Sequence, residues 1–280
     1  MRNSKWSKLL CLVLACVLSV MLYGCPGGET PPGGSSTTTG GGGTVLPPDP
    51  EGTVYGNGEA LEGAGATLSP DSFAMTGVTP DEANAQELTA SGIVNLFRGA
   101  GPEAGATYRV SDGQPIVFDG ASGRTYDGKG AVILAPQGVI IRNGHTVELT
   151  NMTVVGPVTV EGSVEVTMHS FGVMAENATA LTVDAESSAV TLSDLRLTGK
   201  TGLANASDNL TVTASYIAAT ETGIADTSRT GSYIAGCYLT GSGTGITTTA
   251  SESAIRENTL VLTQESVGIA ASDVLNAILR

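Results

Sequence analysis

The 280-residue chain is poor in basic residues, histidine and tryptophan. It has 13 Lys and Arg against 27 Asp and Glu, a formal net charge of −14. So acidic a surface repels a phosphate backbone, which excludes nucleic acid as a partner. Only His145 and His169 carry an imidazole, so a metal centre built from histidines is excluded too. Cysteine is confined to Cys11, Cys16, Cys25 and Cys237, with no Cys-x-x-Cys pair. No phosphate-binding loop and no Gly-x-Ser-x-Gly elbow is present. Helical periodicity is scarce: through most of the chain no segment sustains apolar residues at i, i+3, i+4 and i+7.

What the chain has instead is a repeat, from about Gly138 to Ser272. One element reads apolar-x-apolar, then a corner, then an apolar residue. Its copies are Val147-x-Leu149…Val154, Val164-x-Val166…Phe171, Val190-x-Leu192…Leu197, Leu210-x-Val212…Ile217, Ser232-x-Ile234…Leu239 and Ser253-x-Ile255…Leu260. Between copies stand Thr201-Gly202-Leu203, Thr222-Gly223-Ile224, Thr244-Gly245-Ile246 and Val267-Gly268-Ile269, whose glycines are 21, 22 and 23 residues apart. Short alternating runs broken by Gly, Ser, Thr, Asn and Asp are strand signals. A period near 22 with several strands per unit predicts a solenoid, each coil about 4.8 Å from the next.

These residues, with the entry segment Thr125-Tyr126-Asp127-Gly128-Lys129-Gly130-Ala131, resemble the right-handed parallel β-helix of the pectate-lyase-like superfamily over roughly Thr107 to Ala271. The resemblance implies an all-β fold: a right-handed parallel β-helix solenoid with a short N-terminal capping helix. It does not carry an activity, because that superfamily holds lyases, hydrolases, epimerases and adhesins. Polygalacturonases of this fold carry Asn-Thr-Asp and Gly-His-Gly, and neither string occurs here. Pectate lyases use calcium-binding aspartates and a catalytic Arg or Lys, and no matching arginine motif is found.

Four segments follow. Residues 1–24 read as a secretory leader, with Arg2, Lys5 and Lys8 before the apolar run Leu9 to Leu22. Leu22-Tyr23-Gly24-Cys25 resembles a bacterial lipobox, which implies cleavage before Cys25, diacylglycerol on its sulfur and attachment to a membrane outside the cytoplasm. An ordinary leader with a cysteine nearby is the alternative. Removing the leader takes the charge from −14 to −17 and leaves Cys237 without a partner for an internal disulfide. Residues 25–52 are a Gly/Pro/Ser/Thr-rich tether. Residues 53–106 form the capping region, with a helix over about 80–98: Thr79 caps it, Pro80 opens it and Glu82 closes a capping box. The solenoid fills 107–280, where Ser272 to Arg280 reads as a short helix over the last coil.

Stacking places equivalent residues in columns. The outward column of the Gly-Ile strands reads Arg142, Glu161, Asp184, Ala206, Thr227, Thr249, Ser272. Arg142, Glu161 and Asp184 are the catalytic candidates, since stacked carboxylates suit acid/base work on a glycosidic bond. They are also where a Ca²⁺ would sit, the one cofactor the sequence admits, and a surface ion pair is the plainer reading. A second outward pair is Glu148 and Glu165. A third column reads Thr153, Ser170, Arg196, Tyr216, Tyr238, Thr259; Arg196, Tyr216 and Tyr238 either stack on a sugar ring or pack on one another. His169 falls in an inward column with Met152, Leu195, Ser215, Cys237 and Asn258, and reads as a buried structural residue. The expected function is a lipid-anchored envelope protein that binds carbohydrate or adheres, with polysaccharide as its partner. A polysaccharide lyase or glycoside hydrolase and a purely structural surface protein are the alternatives.

Overall fold

The computed structural model describes residues 80–280 apart from 242, 264, 273–277 and 280. The leader, the tether, Cys25 and Thr79 lie outside the described residues. From Thr107 onward the described chain is almost entirely strand and tight bend, and its strands pair in parallel. They stack as a β-solenoid of about eight turns.

Each turn contributes three strands. Before the corner, the rungs are 125–127, 148–150, 167–169, 191–193, 211–213, 233–235 and 254–256. After the corner they are 107–109, 132–134, 153–155, 172–174, 196–198, 216–218, 238–240 and 259–261. The Gly-Ile face runs from 116–119 and 139–142 through 158–161, 181–183, 203–205 and 224–226 to 246–248 and 269–271.

Alternation decides what goes inside. Leu149, Met168, Leu192, Val212, Ile234 and Ile255 form one fully buried column, and Val154, Val173, Leu197, Ile217 and Leu239 another. Each such side chain stabilises the fold by about 1.5–3 kcal/mol. At the corner the chain must reverse within one residue, so Asn151, Ser170, Asp194, Ala214, Gly236 and Glu257 all take φ between 46° and 63°. On the Gly-Ile face the backbones leave no room for a side chain. A Cβ on Gly223 would collide with the carbonyl of Gly245 and lie 2.6 Å from Leu239 Cδ2. A polar ladder enters the core: Asn205 Nδ2 donates to Asp226 Oδ1 (2.9 Å), and Thr248 Oγ1 donates to Asp226 Oδ2 (3.1 Å). No buried side-chain polar atom among the described residues lacks a partner.

Four expectations need correction. The second repeat copy is Val166-x-Met168…Val173, two residues later than the sequence reading: Val147 pairs with Val166 and Leu149 with Met168. Before the corner, a slip of two keeps the same side chains inward, so alternation cannot detect it. The corner can, because it puts Ser170 rather than Met168 in the left-handed conformation and keeps Met168 fully buried. His169 therefore leaves the inward column, where Phe171 takes its place between Met152 and Leu195.

The capping helix α1 is shorter than expected, Ala90–Arg98. Before it come a 3-10 turn, Glu82–Asn84, capped by Asp81, and strand β1 (Gln86–Leu88), which pairs with 108–110. The effective cap is Thr89, whose hydroxyl accepts from Gly92 N at 3.0 Å, while both Asp112 oxygens accept from Ala90 N at 3.2 Å. Helix α1 does cover the first coil: Phe97 meets Phe118 and Tyr126 edge-on, at 5.9 and 6.4 Å. At the other end, Ile278–Leu279 is a strand paired with 254–255, not part of a helix.

Gly223→Ala should lower the urea midpoint by the equivalent of about 1–3 kcal/mol, the usual cost of overpacking; an unchanged midpoint would mean the backbones separate freely there. Cys237 is fully buried, and burial pushes its thiol up to about 12, slightly offset by a backbone hydrogen bond with Ser215. Peptide mapping after iodoacetamide treatment should find Cys237 unmodified in the folded protein and alkylated in urea.

Candidate functional site

The catalytic candidates occupy the expected register. Arg142 pairs with Glu161 and also with Asp119 on the preceding rung; Asp184 follows Glu161 in the same stack. Their chemistry is more modest than stacking alone suggests. Arg142 Nε lies 4.0 Å from Glu161 Oε2 and both side chains are exposed, a surface pair worth about 0–1 kcal/mol. Asp184 is committed to its own turn: it accepts from Gly162 N (3.1 and 3.0 Å), Ser187 N (2.9 Å) and Ser187 Oγ (2.6 Å). An acid or base there would first have to release that turn. Asp119, which the sequence reading passed over, accepts from Asn143 Nδ2 at 3.0 Å. Among the described residues no three His, Cys, Asp or Glu side chains converge as a metal ion requires.

The aromatic column is continuous. Gly172, Arg196, Tyr216, Tyr238 and Thr259 stand in register on successive rungs, with Gly172 in the place given to Ser170. The rings of Tyr216 and Tyr238 stack 5.7 Å apart at 10°, and the Arg196 guanidinium lies 5.3 Å from the Tyr216 centroid. Tyr216 is thus held between a cation and a second ring. Tyr238 is 9% exposed, so it supports the ladder from beneath, while Arg196 is exposed and Tyr216 half-buried.

The register correction creates a third cluster, before the corner. Glu148 and Glu165 are not a pair: Glu148 stands opposite Thr125 and Thr167, while Glu165 accepts from Thr146 Oγ1 at 2.7 Å. Glu148 instead meets His169, Oε1 to Nε2 at 2.9 Å, and its Oε2 accepts from Thr125 Oγ1 at 2.8 Å. His169 Nδ1 lies 3.2 Å from Thr150 Oγ1. Both side chains are 39% exposed, so His169 faces outward rather than into the core. Nothing in the alternation signals this cluster. The corner residues would have, because aligning Asn151 with Ser170 puts His169 opposite Thr150. The hollows lined by Asp226, Thr227, Thr249 and Ser272 and by Ala90, Asn95, Arg98 and Gln114 touch none of these three clusters.

The hydrogen bond from Thr125, then that from His169, hold the Glu148 carboxyl below its ordinary value, against a smaller opposing effect of burial. A depressed carboxyl contributes stability above its unfolded value and loses it as the pH falls through the folded one. Glu148→Gln should therefore lower the urea midpoint at neutral pH, and the deficit should vanish in acid below the ordinary glutamate range. A deficit independent of pH would assign the loss to packing instead.

No family model matches the sequence, and no curated protein does. Among solved structures, the chain is similar to the crystal structure of DFA-IIIase from Arthrobacter chlorophenolicus A6 without its lid, at 7% identity and a TM-score of 0.41. That match covers 61% of this chain and 55% of the other, so the chain spans about half that protein's length. It is also similar to an alginate lyase from Paenibacillus sp. str. FPU-7, at 9% identity and a TM-score of 0.38, over 68% of this chain and 99% of the other. Likenesses of this degree transfer no residue, substrate or activity to the chain.

Proposed function

We propose that the chain is a cell-envelope solenoid that binds polysaccharide along the Arg196–Tyr216 column. The observation that carries this reading is the ladder itself: Arg196 and Tyr216 stand outward on successive coils, with Tyr238 stacked on the next. Rungs about 4.8 Å apart repeat these positions at a fixed interval, so an extended polymer meets them in series. An open face suits an extended polymer, which needs no enclosing walls. Arg196 offers hydrogen-bond donors to hydroxyl groups, Tyr216 offers its half-buried ring edge, and Tyr238 packs against Tyr216 from the other side. The leader and the lipobox-like Cys25 support a lipid anchor, and the Gly/Pro tether supports a domain held off the membrane.

The lyase or hydrolase alternative rests on Arg142 and Glu161, and Asp184's four hydrogen bonds weigh against it. Purified protein should retain neutral or acidic polysaccharides in affinity electrophoresis without releasing reducing ends. Arg196→Ala and Tyr216→Ala should each weaken retention at least about tenfold, as loss of a central contact does. Retention unaffected by either substitution would remove this face as the binding site, and reducing-end release abolished by Glu161→Gln would establish the enzyme instead.

A further inference from the structure

Thr150, His169 and Glu148 make a connected relay outside the proposed binding column. An ionised carboxylate can only accept, so Glu148 Oε1, 2.9 Å from His169 Nε2, requires the proton on Nε2. In the neutral ring Nδ1 is then a bare acceptor, and the Thr150 hydroxyl 3.2 Å away must donate to it. The order is hydroxyl, imidazole, carboxylate, which is the order that activates a hydroxyl as a nucleophile. The ladder fixes all three: Glu148 and Thr150 share one strand, two residues apart, and His169 stands opposite Thr150 on the next rung. Thr125 Oγ1 holds the far carboxylate oxygen at 2.8 Å, so the carboxylate cannot rotate away from the ring. Thr150 is 5% exposed and His169 39%, which puts the hydroxyl on the floor of the strand face and the ring at its rim.

The other histidine provides an internal contrast. His145 Nδ1 lies 2.9 Å from Thr146 Oγ1, but that hydroxyl donates its proton to Glu165 Oε2 at 2.7 Å. One proton cannot serve both partners, so there the imidazole must donate. The same three residue types in the order imidazole, hydroxyl, carboxylate leave the hydroxyl without an imidazole base, bonded instead to a weakly basic carboxylate.

We propose that Thr150 is an acyl-accepting nucleophile and that the chain hydrolyses small carboxylic esters, with His169 as the catalytic base and Glu148 as its positioning residue. Thr150 Oγ1 attacks the ester carbonyl carbon while its proton passes to His169 Nδ1. The bond from carbonyl carbon to alcohol oxygen breaks, and the departing alcohol takes that proton, leaving an acyl ester on Thr150. Water attacks this ester and gives a proton to Nδ1; the acyl–oxygen bond breaks, the carboxylic acid leaves and Thr150 recovers its proton. Water is the only co-reactant. The activity stands apart from polysaccharide binding, so a simple ester tests it alone.

The test incubates the purified protein with p-nitrophenyl acetate and, separately, with a fluorophosphonate. Release of nitrophenol is expected, together with a phosphonyl mass on the peptide that contains Thr150. Thr150→Val, which keeps the shape and removes the hydroxyl, and His169→Asn should each lower release at least about a hundredfold. Glu148→Gln should lower kcat with KM unchanged, and Glu148→Asp should restore part of the loss, as expected of a group that orients the ring. His145→Asn should keep the wild-type rate. Release no faster than buffer, release that survives Thr150→Val, or a label on another residue would each overturn the proposal; the labelling needs no variant and stands whether or not the substituted chains fold.

Discussion

The structure depends on one interaction, the parallel backbone ladder between successive coils. Each strand hydrogen-bonds to the one below and the one above, so like positions of the repeat must stack. Cores, corners and sites are therefore columns rather than patches. The glycine column at Gly202, Gly223 and Gly245 exists because the ladder brings backbones too close for a Cβ. The Asn205, Asp226 and Thr248 ladder exists because the same stacking gives each buried polar group an equivalent neighbour to bond. A lone Asp226 at 1% exposure would be costly. Between an amide above and a hydroxyl below, it is satisfied and marks the rung it belongs to.

The fold was legible because burial and alternation coincide. A residue inward on one coil is inward on the next, so Leu192, Val212, Ile234 and Ile255 could be aligned by eye and are all buried. The outward column from Arg142 to Ser272 was readable on the same ground, and its register is the one found. What alternation cannot register is a displacement by two. At the second copy the apolar pattern Val164, Val166, Met168 fits either alignment, and the wrong one moved His169 inside. The capping helix was misplaced for a related reason. Thr79 reads as the cap, but the helix starts after Thr89, and sequence alone cannot weigh the pairing of Gln86–Leu88 with the sheet against another turn of helix.

The candidate sites were legible only as far as columns are. Which residues stand together followed from the period, but what they do together follows from side-chain direction. Arg142 and Glu161 stack yet barely touch, and Asp184 turns back to hold a bend. Tyr216 and Tyr238 stack face to face, so the ladder is built from within by mutual packing while only its first members reach solvent. Short bends between strands leave such columns on open faces. This constrains what they can recognise more than composition does, since a repeating face meets a repeating ligand with the same geometry at every rung.

The register of a single corner also decides chemistry. With Val164 opposite Val147 the core would be as apolar as it is now, but Glu165 would stand opposite Glu148, two like charges on neighbouring rungs. His169 would lie inside against Met152, and Glu148 would have no imidazole. The observed register separates the two glutamates, giving Glu148 a hydroxyl and an imidazole and Glu165 a hydroxyl that in turn meets His145. The relays then differ because Thr146 and Glu165 both sit in the left-handed conformation, at φ 54° and 57°, whereas Thr150, Glu148 and His169 lie on regular strand. Extended backbone directs Thr150 and His169 to the same side of the sheet one rung apart, so the hydroxyl reaches the ring before any carboxylate. The left-handed pair turns Thr146 toward Glu165 first. Placing the corner at Ser170 rather than Met168 is thus what sets His169 beside Thr150.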